Sequence, residues 1–243
     1  MSERGSFIPR PSHIGLLGGT LDPIHCGHLA AATAARDAFD LTTVFVLPSH
    51  VPPHRPVQPL ASPFHRFAMA SLAVSGVDRL QASDDELRLA GPSYTADTLE
   101  RLQKRGLTAS QLFFITGADA FAEIATWKHY PGVLDLANFV VVSRPGHDLA
   151  GMQARLPELA SRMRAAPEHR VSDTGHRVSD TGSRPSEPLI YLLETSTPDV
   201  SSTRVRERLR RGEPITGLVP PLVEAHIHKH ALYGAPELHG QND

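Results

Sequence analysis

Short runs of apolar, β-branched and aromatic residues punctuate the chain: HIGLLG (13–18), TTVFVLP (42–48), QLFFIT (111–116), NFVVVS (138–143) and LIYLLET (189–195). They are nearly continuous in apolar character rather than alternating, the pattern of strands buried on both faces. Between them, apolar positions recur at helical spacing in HLAAATAARDAF, FHRFAMASLAVS, SYTADTLERLQKRG and GMQARLPELASRMRAA. Strands alternating with helices predict an α/β fold. The expected form is a doubly wound, Rossmann-like parallel sheet with helices on both faces, binding its ligands at the carboxyl ends of the strands.

One stretch breaks the alternation. Residues 169–182 read HRVSDTGHRVSDTG, a seven-residue unit repeated without change. Two such short units do not make a solenoid. The surrounding segment, 167–188, is rich in Ser, Gly, Pro, Arg and Asp and predicts an exposed loop inserted between a helix and the last strand, either passive or a binding loop. The expected organisation is a flexible leader (1–12), a single domain (13–233) carrying that inserted loop, and a flexible tail (234–243).

Composition narrows the partners. A chain of 243 residues with a formal charge of −2 can bury a sizeable core but has no global field to attract nucleic acid or an anionic membrane, so any anion site must be local. One cysteine precludes an internal disulfide and suits a reducing compartment. The first residues, MSERGSFIPRPS, lack the apolar region of a secretory signal, and no apolar run approaches the roughly 18 residues of a membrane span. The expectation is a cytoplasmic protein with neither a nucleic-acid nor a membrane partner, as a monomer or a homo-oligomer.

The stretch GLLGGTLDPIHCGHLAAA (15–32) carries the first candidate chemistry. A strand, a glycine pair (Gly18, Gly19) and a helix beginning near His28 form a strand–turn–helix unit, yet neither G-x-G-x-x-G nor G-x-x-x-x-G-K-[ST] is present and no lysine lies near. A helix N-terminus offers unpaired backbone N–H groups and the positive end of a dipole to an anion. His25 and His28 bracket that end and can donate imidazole N–H groups to phosphate oxygens, while Gly27 lets a ligand approach the backbone. Other readings stay open. The histidines can merely cap a turn. A structural zinc site on His25, Cys26 and His28 is poorly served by adjacent and i,i+3 ligands without a C-x-x-C partner, and no metal-ligand set is expected elsewhere. Cys26 is either a small filler or a thiol activated by the helix terminus.

The second candidate is ETSTPDVSSTRVRERLRRGE (194–213), after the last strand. Ser201 or Ser202 is a natural N-cap for the helix that follows. Arg204 and Arg206 then fall in about the first turn, where the macrodipole disfavours cations; Arg208, Arg210 and Arg211 lie further along. Positive charge at that end suits a bound anion, and a solvated basic face is the alternative. HIHKH (226–230) puts His226 and His230 at a metal-compatible i,i+4 spacing but reads as a solvated helix face.

Together, GGTLDPIHCGH and VSSTRVR resemble the H-x-G-H and I-S-S-T-x-I-R motif pair of the nucleotidylyltransferase superfamily, and within it the bacterial nicotinate-nucleotide adenylyltransferase family. VPPHR (51–55), PSYTADTL (92–99), FFITGADAFAEIATWKHY (113–130) and VVVSRPG (140–146) resemble the same family, and the likeness spans residues 13–233 apart from 167–188. The resemblance implies a nucleotidylyltransferase fold and transfer of the adenylyl group of ATP to nicotinate mononucleotide, giving deamido-NAD and pyrophosphate in NAD biosynthesis, with Mg²⁺ carried on ATP. It implies catalytic roles for His28, His25 and Arg206. It also implies ATP contacts at Gly18, Gly19, Thr20, Asp119, Ser202 and Thr203. Around the mononucleotide it implies Trp127 stacked on the pyridine ring, Thr95 bringing main-chain groups to the ring carboxylate, and His54 and Arg144 beside the phosphate. Blander roles remain for several: Trp127 in the core, Thr95 as a helix start, Asp119 as an N-cap, His54 in a solvated loop, Arg144 at a strand end. Leu21 and Arg55 depart from the family's usual phenylalanine and lysine.

The chemistry agrees with this donor set. A phosphate monoester has its second pKa near 6, so the attacking phosphate is already mostly ionised at pH 7 and needs no general base. Donors and cations without paired carboxylates suffice. Adenylyl transfer to nicotinamide mononucleotide or phosphopantetheine, an ATP-binding module without turnover, and a zinc-dependent structural or nucleic-acid-binding protein are the competing readings.

Overall fold

A computed structural model describes residues 12–53, 59–143, 149–167, 187–195 and 198–235. Its centre is a seven-stranded sheet in the order β3-β2-β1-β4-β5-β7-β6, with every pairing parallel. The strands are β1 (Ile14–Gly19), β2 (Thr43–Pro48), β3 (Leu80–Ala82), β4 (Leu112–Gly117), β5 (Asn138–Ser143), β6 (Met163–Ala165) and β7 (Ile190–Glu194). The helices are α1 (Cys26–Phe39), α2 (Pro63–Val74), α3 (Thr95–Lys104), the single turn α4 (Ala118–Phe121), α5 (Leu149–Arg155), α6 (Ser202–Arg210) and α7 (Pro221–Lys229). The chain runs outward in one direction from β1 to β3, then returns to place β4 on the other side of β1. That reversal opens a crevice at the carboxyl ends of β1 and β4, where open α/β sheets bind ligands.

The apolar runs of the sequence explain the layers. All six residues of β5 are buried, and five of the six of β4. Alternate residues serve opposite faces. Leu17, Phe113, Ile115, Val140 and Val142 join one core with residues of α1, α2, α6 and α7. Leu16, Phe114, Phe139 and Val141 join the other with residues of α3, α4 and α5. Local signals start and stop the helices: Ser62 caps α2 by accepting from the His65 N–H at 3.3 Å with Pro63 as its first residue, and Gly106 follows α3 at φ +97°.

Two expectations need correction. The helix predicted across 151–166 ends at Arg155; a 3₁₀ segment (Pro157–Arg162) and the strand β6 follow. Pro157 stops the α-helix, and Met163 is buried beside Ile190 of β7, so sheet pairing overrides the helical spacing. The three-residue strands β3 and β6 were too short to leave a periodic signal. The leader, the tandem repeat and the tail fall almost entirely outside the described residues.

The HIHKH segment is solvated at Lys229 and His230, as expected, but His226 is half-buried against α2. His226 Nε2 lies 3.1 Å from Nδ1 of His65 on α2, and the His230 ring is 4.4 Å from that of His226. Burial first, then the neighbouring His230, His65 and Lys229, push the His226 imidazole below its ordinary pKa of 6.5. The folded protein therefore binds fewer protons here than the unfolded chain does, and this contribution to stability, full above pH 6.5, is lost as pH falls through the folded value. The melting temperature should decline between pH 7.5 and 5, and His226→Gln should flatten that decline. An identical pH slope in the variant would remove His226 as its source.

Candidate active site

The first motif forms the turn between β1 and α1. Gly18 and Gly19 end the strand in ordinary backbone geometry, and the turn comes at Leu21 instead, a non-glycine residue at φ +51°. The two glycines serve different needs. A Cβ on Gly18 would approach the Phe114 ring at 3.2 Å, whereas one on Gly19 would meet only ordinary contacts, so packing does not demand glycine there. A bare backbone at Gly19 is what a ligand needs.

Helix α1 starts two residues earlier than expected, at Cys26, with His25 as its extended N-cap. The His25 N–H donates to Nδ1 of His28 at 3.2 Å, and the two rings stack 3.7 Å apart. Because Nδ1 of His28 accepts, the neutral ring carries its proton on Nε2 as a donor. Gly27 has a steric role: a Cβ would stand 3.1 Å from the His25 ring and 3.3 Å from Val200. The first amide of the helix, Cys26 N–H, is taken by the Leu218 carbonyl at 2.9 Å. Burial pushes the Cys26 thiol up, against the activated-thiol reading.

Folding brings the second motif onto this turn. The Arg206 guanidinium donates to the Asp22 carbonyl at 2.6 Å, across 184 residues of sequence, and the Ser202 hydroxyl to the Pro23 carbonyl at 2.9 Å. Ser201 is the N-cap of α6, accepting from the Arg204 N–H at 3.2 Å. The arginines divide by partner. Arg204 is neutralised by Asp199 at 3.2 Å and Arg208 faces Glu213 at 3.6 Å, while Arg206 contacts only neutral oxygens among the described residues, its second being Thr203 Oγ1 at 3.2 Å. Arg206 is thus the arginine of the three whose charge meets no carboxylate contact among the described residues, seated on the turn that also carries His25.

Next to this cluster lies a cavity of about 240 Å³ that shares Gly18, Gly19 and Thr20 with it. Trp127 and Thr95 line it. Trp127 is half-buried, edge-on to Phe114 with centroids 5.9 Å apart, so it serves core and cavity together. Thr95 is the first residue of α3 and also faces the cavity. Asp119 stands exposed in the first turn of α4, outside that lining, and Gly117, not Asp119, is the N-cap. His54 and Arg144 lie outside the described residues. A larger cavity, about 430 Å³ between α1 and the β6–β7 edge, contains none of the candidate residues. Among the described residues, no group of three or more His, Cys, Asp or Glu is arranged to hold a metal ion, which leaves the zinc reading of His25, Cys26 and His28 without support.

Residues 16–208 match the cytidylyltransferase-like family. The sequence is 39% identical over 226 residues to the probable nicotinate-nucleotide adenylyltransferase of Desulfatibacillum aliphaticivorans, covering 90% of this chain and 99% of that protein. It is 35% identical over 235 residues to the protein of the same description in Moorella thermoacetica, covering 97% of each. The chain belongs to the nicotinate-nucleotide adenylyltransferase family. Its fold is also that of a distant solved structure, the Plasmodium falciparum nicotinic acid mononucleotide adenylyltransferase complexed with NaAD, at a TM-score of 0.67 and 16% identity over 93% of this chain and 98% of that one.

Several residues that shape this adenylyltransferase-family site were invisible to motif reading. Arg66 of α2 is fully buried and donates to four carbonyls: Thr20 at 2.8 Å and Ser49 at 2.6 Å through Nη1, His50 at 3.1 Å through Nη2, and Ala61 at 3.3 Å through Nε. It ties the loop after β1 to the loop after β2. Ser49, 6 % exposed, lines the cavity with a hydroxyl that has no hydrogen-bond partner among the described residues. Lys128 also lines it, held by Asp97 at 2.8 Å and lying 4.7 Å from the centroid of the Tyr94 ring. Buried Glu86 accepts from the Thr98 hydroxyl at 2.9 Å and fastens the segment before α3. An arginine in a helical stretch carries one usable signal, its place in an otherwise apolar run (FHRFAMA); the others carry none. Arg66→Met should lower stability by at least about 3 kcal/mol in chemical denaturation, because four carbonyls lose their donor at roughly 1–3 kcal/mol for each left unsatisfied. Arg66→Lys should recover only part, one ammonium being unable to span both loops. A loss under about 1 kcal/mol for Arg66→Met would mean that the loops hold themselves.

Proposed function

We propose that the protein transfers the adenylyl group of ATP to nicotinate mononucleotide, releasing pyrophosphate and forming deamido-NAD in NAD biosynthesis. The observation that carries this reading is the union of the two phosphate-directed motifs through Arg206–Asp22 and Ser202–Pro23, beside a cavity walled by Trp127 and Thr95. The relatives described as nicotinate-nucleotide adenylyltransferases support it over nearly their whole length. The reaction site is cytoplasmic in this reading. The lone cysteine suits a reducing compartment, and no described helix is long and apolar enough to cross a membrane.

In the proposed mechanism the 5′-phosphate of the mononucleotide attacks the α-phosphorus of ATP, and the bond to the β-phosphate oxygen breaks. The nucleophile is ionised at pH 7, with a second pKa of about 6, so no proton need be removed. His28 donates its Nε2 proton as a hydrogen bond to the α-phosphoryl oxygens, where charge grows in the transition state. His25, Thr203, Arg206 and the main-chain N–H of Ser202 at the start of α6 hold the departing pyrophosphate, with the backbone of Gly18, Gly19 and Thr20 alongside. Asp119 lies towards the nucleotide, and His54 and Arg144 flank the mononucleotide phosphate. Mg²⁺ arrives with ATP as part of the substrate. The donors of this cluster are imidazole, hydroxyl and guanidinium groups, and the nearby Asp22 carboxylate is occupied by Leu60, Ala61 and Tyr233. The ring packs on Trp127, and its carboxylate meets the amides at the start of α3, donors that suit a carboxylate better than an amide, while Lys128 lines the same wall with its ammonium on Asp97.

Pyrophosphate release measured with Mg–ATP and, in parallel, nicotinate mononucleotide, nicotinamide mononucleotide and phosphopantetheine should show strong preference for the first. Release with another acceptor would keep the chemistry and overturn the substrate. ATP binding without release would favour a sensing module. His28→Ala should lower kcat by about 10²–10³-fold, the effect of removing one transition-state donor, while ATP affinity changes only a few-fold. Equal losses in both would reduce His28 to a binding residue.

A further inference from the structure

The turn that carries His25 is gripped from a third direction, by the last described turn of the chain. Asp22, 4 % exposed, accepts three hydrogen bonds on its carboxylate: the Leu60 N–H on Oδ2 at 2.9 Å, and the Ala61 N–H at 3.1 Å and the Tyr233 hydroxyl at 2.7 Å on Oδ1. Its own carbonyl accepts from Arg206 at 2.6 Å. One buried residue thus joins four segments: the β1–α1 turn, the approach to α2, α6, and the turn after α7. Two of the carboxylate's partners are main-chain amides and cannot be altered by substitution. The third is a phenol, and a hydroxyl donating to a carboxylate is among the stronger hydrogen bonds. Burial, and then the Asp22 carboxylate, push that phenol far above its usual pKa, so it remains a donor throughout the working range.

Backbone strain marks the same contact. Leu21, Ala231 and Tyr233 have φ of +51°, +47° and +61°, a region that non-glycine residues rarely adopt. Such residues persist where the surroundings over-determine them. The anchor for the C-terminal turn is α7, whose Val223 and Ile227 are fully buried and whose His226 meets His65 of α2.

We propose that Tyr233 is a positioning residue for adenylyl transfer: its hydroxyl fixes the Asp22 carboxylate and, through Asp22, both the carbonyl that seats Arg206 and the turn that carries His25. Tyr233 is outside the cavity lining, and its hydroxyl is taken up by Asp22. The proposal rests on the adenylyl-transfer reading above, and its effect falls chiefly on the triphosphate side of the site, because the cavity takes only Gly18, Gly19 and Thr20 from this turn and Trp127 and Thr95 from other elements.

Tyr233→Phe keeps the ring and removes only the hydroxyl. Its kcat, both KM values and melting temperature are compared with those of the unaltered protein. In parallel, calorimetry without acceptor measures binding of an ATP analogue whose α and β phosphorus atoms are joined by a methylene. The expected result is a loss of about tenfold in analogue affinity and a similar rise in the KM for ATP, on the scale of one hydrogen bond to a charged group, with the KM for nicotinate mononucleotide within about twofold. Asp22→Asn and the double variant complete a cycle, in which the ATP effects should be far from additive. An unchanged analogue affinity and ATP KM with a lowered melting temperature, failure of Tyr233→Phe to fold, or additive losses in the cycle would each overturn the proposal. If the unaltered protein does not turn over nicotinate mononucleotide, the reading of its reaction fails, while the analogue-binding arm still decides the role of Tyr233.

Discussion

A buried guanidinium that donates to four carbonyls, and to no carboxylate among the described residues, organises the carboxyl end of the sheet. Arg66 lies beneath the carboxyl ends of β1 and β2 and donates to carbonyls from both following loops. Loops at that end of a parallel sheet leave carbonyls pointing inward without a strand to pair them, and buried carbonyls without donors are costly. One planar cation with five N–H groups satisfies several at once. Its desolvation, which lowers its pKa, is offset by those dipoles and by the field of the Asp22 carboxylate. With the two loops locked together, Gly19 and Thr20 on one side and Ser49 on the other become walls of a single cavity.

Around that lock the two motifs bring imidazole, hydroxyl and guanidinium groups to one turn, with no lysine in either motif. His25 caps α1 and stacks on His28, so both rings give up little freedom on meeting a ligand. Arg206 is held by a carbonyl and a hydroxyl, which orient it without cancelling its charge. The other arginines of α6 show the contrast, since Asp199 and Glu213 absorb the charge of Arg204 and Arg208. A net charge of −2 overall is thus compatible with a local cluster of donors around one guanidinium that no described carboxylate contacts.

Much of the architecture was legible along the chain. Near-continuous apolar runs located five of the seven strands, because strands buried on both faces need apolar residues at every position. The strands β3 and β6 escaped notice since three residues carry no period, and the spacing within 151–166 mimicked a helix that Pro157 does not allow to continue. The two motifs also announced their chemistry, through histidines, serines and arginines at helix starts where dipoles favour anions. Their bare listing could not separate Arg204 from Arg206, nor say that Gly27 makes room for the His25 ring while Gly19 leaves backbone open to a ligand.

The amino-acid sequence by itself determined the α/β alternation, the two phosphate-directed motifs and the absence of paired carboxylates from them, since these are properties of composition and local spacing. Tertiary structure alone decided that the motifs meet, 184 residues apart, on the carbonyls of Asp22 and Pro23. It alone gave Arg66, Ser49 and Tyr233 their places at the site. The reason is physical: burial and hydrogen-bond partnership are set by which loops the sheet order brings to one end, and no local pattern records a partner that lies on another strand's loop.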